Sequence, residues 1–345
     1  MPPKTEKLME DPNVMYFQLG QADLQKLAKL TPFAKQLVIC LFHVLHQGLH
    51  LADEQSRTPI DTSTNAGALC EKYTSTALKN DLSADKLLSL RKTGPSMKFI
   101  IRHLTFDSKF TAQCIFQLCI WRAFAFGNLD HLSELSIDLD SKPPEFDTIK
   151  ETICKRGGQV NILISAYGSF QIGKSKVPNM LEKFWELSIA LEVEKQPCTF
   201  AEIYDSLWNK NIPSLPQGGL LVWLIACDLA EFGVCLAPNG EDLAKHMLEA
   251  GGKAAGPTKG LKFVGKTSKA DVPSESVEDL ASVFDCVMEV FSYPDEELEE
   301  IAALTSACES LQGRKFSVAD LEHGLCKIAR EDTMRIRMAK KKGSK

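Results

Sequence analysis

No apolar run in this chain reaches the roughly 20 residues that a helix needs to cross a bilayer. The opening MPPKTEKLMEDPN is polar and carries no targeting pattern. Neither sign of charge dominates: 40 Lys and Arg stand against 45 Asp and Glu, a net charge of −5. A chain so balanced exerts no global pull on DNA or acidic membranes, so any polyanion contact has to be local. No C-x-x-C pair occurs either. The eleven cysteines are scattered, and Cys40, Cys114, Cys119 and Cys227 lie in apolar runs. An odd count without a framework points to reduced thiols in a nuclear or cytoplasmic protein, and away from disulfides or a cysteine zinc centre.

Alternating, strand-like patterns are also scarce, and no internal repeat is visible. What fills the 345 residues, 44% of them apolar, is helical periodicity. Thr31 and Pro32 offer an N-cap and a first-turn proline to FAKQLVICLFHVLHQGLHLA. MKFIIRHL and FTAQCIFQLCIWRAFAF suit buried helices, and Thr199 to Glu202, Ser276 to Asp279 and Ser317 to Asp320 read as capping signals for three more. LLVWLIACDLAEF is an apolar helix that Gly233 stops. Residues 53–95, rich in Ser and Thr, are expected as a long loop with one short helix near Ser83 to Leu90. The chain then divides into a polar segment (1–30), a helix with a Ser/Thr-rich loop (31–96), a helical domain (97–337) and a basic tail (338–345).

Residues 168–175, GSFQIGKS, spell a P-loop: Gly168, four residues, Gly173, Lys174, Ser175. In a true P-loop the backbone amides wrap the phosphates, the lysine reaches the outer phosphates and the hydroxyl holds Mg²⁺. Val160 to Tyr167 suits the preceding strand and Val177 to Leu191 the following helix, with Asp228 as a Mg²⁺-side carboxylate. A phosphotransferase using Mg-ATP is therefore an alternative function. It lacks the further parallel strands that such a fold packs between helices. Without them, Tyr167 to Ser175 is expected as a surface turn between a buried segment and a helix.

The segment 199–233 has a helix–hairpin–helix outline, its turn built from Pro213, Pro216, Gly218 and Gly219. In such units the glycines let the backbone approach a nucleic-acid phosphate, and the amides at the second helix's start bind it. An ordinary helix–helix turn uses the same residues. Next comes AGGKAAGPTKGLKFVGKTSKA, with Lys253, Lys259, Lys262, Lys266 and Lys269 and no acid, read as a flexible cationic loop. Asp228, within an apolar helix, is the candidate functional carboxylate, either catalytic or structural. His43, His46 and His50 share one helix face with Asp53 close behind, but no second ligand cluster accompanies them and no metal is assigned.

LPQGGLLVWLIACDL resembles the hairpin and following helix of the 5-hydroxymethyldeoxyuridine DNA kinase helical-domain family, which is related to thymine-hypermodifying pyrophosphorylases. The family positions fall on Gly218, Trp223 and Asp228–Leu229, then on Gly256, Pro257, Gly260 and Leu261, and finally on Glu322, Leu325 and Cys326. Ala166–Tyr167 matches a further pair. Departures stand at Pro216, Leu224, Thr258 and Lys327, and the family's arginine-rich N-terminal element has no counterpart. The resemblance, covering about residues 97–337, implies a mainly α, helix–hairpin–helix DNA-glycosylase-like fold. It implies DNA, including modified DNA, as partner, and no cofactor. Phosphate contacts would come from Pro216, Gly218, Gly219, Lys253, Gly256, Lys259 and Lys262, and Asp228 would be the catalytic candidate. A helical scaffold without chemistry is the remaining alternative.

Overall fold

The computed structural model describes residues 15–52, 59–78, 88–104, 111–125, 129–137, 144–155, 159–164, 168–193, 198–209, 219–249, 255–273, 276–294 and 297–342. The protein is mainly helical, with a single two-stranded antiparallel hairpin among the described residues. The chain folds as two compact units. One gathers residues 1–93, 239–248 and 255–345; the other holds 94–238 and 249–254. The N-terminal helix therefore shares a unit with the C-terminal helices.

The first unit contains α1 (Gln21–Lys26), α2 (Pro32–Ala52), α3 (Asn65–Leu78), α11 (Gly240–Glu249), α12 (Ala255–Ser268), α13 (Val277–Ser292), α14 (Glu299–Gln312) and α15 (Val318–Lys342). The helix α2 begins as its residues dictate: the Ala34 amide donates to the Thr31 hydroxyl at 3.2 Å, and Pro32 needs no amide partner. Leu37, Val38, Cys40 and Leu41 are wholly buried, because α12, α13, α14 and α15 all pack against this one helix. Ser276 caps α13 through the Asp279 amide at 3.0 Å. Asp320 takes the Ser317 amide at 3.0 Å at the start of α15.

The second unit contains α4 (Pro95–His103), α5 (Ala112–Ile120), a π-helical turn (Trp121–Ala125), α6 (Leu129–Glu134), α7 (Phe146–Cys154), β1 (Gln159–Ile164), β2 (Gly168–Gly173), α8 (Val177–Val193), α9 (Phe200–Asn209) and α10 (Leu220–Glu231). Every residue from Ala112 to Ala125 is buried. So is every residue from Leu221 to Leu229. Thr199 and Glu202 form a reciprocal capping box on α9, with amide-to-side-chain distances of 2.7 and 3.2 Å. Gly233, at φ 73°, closes the chain after α10 as expected.

Three expectations are corrected. Residues 65–78 form α3, whose buried Leu69, Cys70 and Tyr73 make an apolar stripe too narrow to stand out among Ser and Thr. Of the short helix expected near Ser83 to Leu90, residues 83–87 lie outside the described residues, and 88–90 are not helical. Most of the expected cationic loop is instead α12, in which glycine serves contact rather than freedom. A Cβ on Gly260 would meet the Leu325 carbonyl oxygen at 2.3 Å, and one on Gly256 would meet the Cys326 Sγ at 2.5 Å. Only bare glycine lets α12 lie this close to α15, and that packing outweighs the low helix propensity of the segment. In addition, α15 runs unbroken into the basic end as far as Lys342.

Two outcomes are expected. Gly260→Ala forces a side chain against backbone and is expected to lower stability by about 1–3 kcal/mol, read as a shift in urea midpoint at unchanged slope. His246 on α11 is buried neutral, its pKa held down to about 3 by burial. Its unfolded-state value is higher, so stability is full above about pH 6.5 and declines as acid approaches the folded value. His246→Gln is expected to flatten that decline in denaturation measured across the same pH range.

Candidate functional site

Asp228 sits near the end of α10 with no exposed surface. Its partner is Arg122, 4% exposed, from the π-helical turn that follows α5. The Arg122 Nε donates to Asp228 Oδ2, and Nη2 donates to Oδ1 at 3.0 Å. Nη2 also reaches the Met97 sulfur at 3.4 Å. A π turn packs one more residue into its hydrogen-bonded loop than an α turn, which re-aims the side chains it carries. Here Arg122 points at Asp228 while the Trp121 indole N–H donates to the Leu132 carbonyl at 2.8 Å. Cys119 lies beside the pair, its thiol pushed well up by burial first and by the Asp228 charge second.

Both oxygens of Asp228 are thus engaged by one fixed guanidinium inside a closed core. This carboxylate compensates a buried arginine.

The hairpin and lysine residues are distributed differently from the sequence expectation. Pro216, Gly218 and Lys253 lie outside the described residues. Gly219 adopts φ 86° at the start of α10, and its carbonyl accepts the Trp223 amide at 2.7 Å. Gly256 is a helix-to-helix contact, turned to Cys326 and not to a phosphate. Lys259 and Lys262 are exposed on α12, joined by Lys266. Spacings of three and four residues put these lysines on one face. Gly260, Leu261, Val264 and Gly265 are buried. The helix contains no acidic residue, and no described carboxylate pairs with the three ammonium groups. They span about 10 Å along the helix axis. Asp228 and this lysine face belong to different units.

The two C-terminal elements of the resemblance meet inside the first unit. Gly256 and Gly260 pack on Leu325 and Cys326, and the Cys326 thiol donates to Glu322 Oε1 at 3.2 Å. Glu322 is completely buried, its pKa raised by burial against the opposing pull of Cys326, Arg91, Lys327 and Arg330. Burial likewise lifts the Cys326 thiol far above its ordinary range, so it is no nucleophile. These motif residues form a packed polar seam closed off from solvent.

Gly168 to Gly173 are β2, paired antiparallel with β1 from Ile164 opposite Gly168 to Gln159 opposite Gly173. Lys174 and Ser175 follow in a 3-10 turn before α8. The expected surface turn is therefore a strand edge and a turn. A P-loop keeps this stretch as a loop around phosphate; here it runs extended beside another strand. The three histidines of α2 surround Phe17, whose ring centroid lies 5.8, 5.0 and 6.2 Å from those of His43, His46 and His50.

Compared with known proteins, the chain matches no family model, no curated protein and no solved structure. The partner missed in the sequence was Arg122. A lone charge in the apolar run QLCIWRAFAF, set against a lone Asp in LLVWLIACDL, was the available signal.

Removing one member of a buried ion pair strands the other, at about 3–5 kcal/mol, whereas replacing both with apolar residues is far milder. Asp228→Leu alone is expected to be severely destabilising and the Asp228→Leu, Arg122→Met double variant to recover most of the loss, in a denaturation double-mutant cycle.

Proposed function

We propose that this chain is a helical nucleic-acid-binding protein that grips the phosphate backbone through the Lys259–Lys262–Lys266 face of α12. The observation that carries this reading is that face itself: three exposed ammonium groups on one side of an acid-free helix. In a protein of net charge −5, such a local cationic surface is where a polyanion is attracted. Contacts of this kind position a duplex and carry no base information. The resemblance to the 5-hydroxymethyldeoxyuridine DNA kinase helical-domain family supports DNA, with modified thymine, as the partner, and a glycosylase-like helical arrangement as the scaffold. Asp228 has a structural role in this function, as the counter-charge of Arg122.

The test is fluorescence anisotropy with a labelled duplex, carrying thymine or 5-hydroxymethyluracil, over a salt series. Each neutralised phosphate contributes about −0.9 to the slope of log K against log salt. The Lys259→Gln, Lys262→Gln, Lys266→Gln variant is expected to flatten that slope by roughly 2 to 3. An unchanged slope in the variant, or no binding by the parent protein at low salt, would sink the proposal.

A further inference from the structure

Residues 15–20 form a short non-helical strap of the first unit that bends at Tyr16 and Phe17. Met15 and Leu19 are buried, and the Phe17 ring is set among the histidines of α2. Its nearest partner is His46, stacked at 5.0 Å with the planes 11° apart. Phe42 also meets His46, edge-on, at 5.0 Å. Two of the strap's backbone amides are held by side chains of other elements. The Phe17 amide donates to His43 Nδ1 at 3.1 Å, and the Gly20 amide donates to Glu300 Oε2 at 2.8 Å.

These bonds specify protonation states. His43 accepts at Nδ1, so its proton resides on Nε2, which donates to the Glu331 carboxylate at 2.9 Å. His46 is only half-buried and so within reach of solvent protons, yet one side of its ring is covered by Phe17. An imidazolium there calls for water on the ring face that Phe17 covers.

We propose that residues 15–20 are an acid-released strap: neutral His46 holds Phe17 on α2, and protonation of His46 detaches the segment. The charges facing His46 are His43 and His50 from its own helix and Glu300 from α14. Those facing His43 include Glu331 of α15, which also lies near Cys70 and Tyr73 of α3. Burial comes first in lowering the His46 pKa, His43 and His50 add to it, and Glu300 only partly opposes them. The folded value lies below that of a free histidine, so the strap is fully held above about pH 6.5 and loosens as pH falls through the folded value. Once Phe17 leaves, the covered side of the His46 ring is rehydrated. Phe17 also forms one wall of a groove of about 370 Å³, beside Phe42, His46, Leu49, Leu304 and Ala307, and departure of the strap removes that wall.

Hydrogen exchange with mass spectrometry on the full chain tests this, comparing about pH 7.5 with about pH 5.5 after correction for intrinsic exchange. Protection of the 15–20 peptide is expected to fall roughly fivefold or more on acidification, while α2 keeps its protection. In His46→Phe, which retains the stacked ring without the proton, protection is expected to stay level between the two conditions. His46→Gln serves as the second variant, expected to be less protected at both values and equally indifferent to pH. Equal wild-type protection at both values, or the same fall in either variant, would overturn the proposal.

Discussion

The close approach of α12 to α15 is the constraint on which the first unit depends. Two glycines, one turn apart, let the helices touch backbone to side chain at Cys326 and backbone to backbone at Leu325. That contact turns Glu322 and Cys326 inward, where they satisfy each other in part, and it commits the opposite side of α12 to solvent. The lysines are displayed because the glycines are hidden. A segment that looks like a flexible loop by composition is thereby a helix with an exposed cationic face, and α2 packs against both of these helices.

The second unit meets a different problem, an arginine and an aspartate inside a largely apolar core. The π turn solves it geometrically by aiming Arg122 across to α10. A buried pair of this kind adds little net stability over an apolar replacement, yet it strongly penalises any arrangement that separates the charges. It therefore specifies how α5 and α10 must pair. The first unit has its own counterpart in the bond between His43 and Glu331, which ties α2 to α15 and sets the tautomer that the N-terminal strap reads.

Local signals carried far in this chain. Capping residues at Thr31, Thr199, Ser276 and Ser317 were legible because each cap is a bond within a few residues. The apolar helices α2, α5 and α10 were legible because burial on nearly all sides leaves a nearly continuous apolar run. Failures occurred where a distant partner decided the outcome. Nothing local in Gly256 names Cys326, and nothing local in Asp228 names Arg122, 106 positions away.

Composition and bonds that close over one helical turn were enough to establish a mainly helical protein, the starting points of several helices, the burial of Asp228 and the cationic character of residues 250–270. What those features do came from packing. The fold made Asp228 a counter-ion, made Gly256 a contact, raised Lys259, Lys262 and Lys266 onto one face, and seated Phe17 among three histidines. The physical reason is common to all four: a buried charge or a close contact takes its meaning from whichever element packs against it, and that element is distant in sequence.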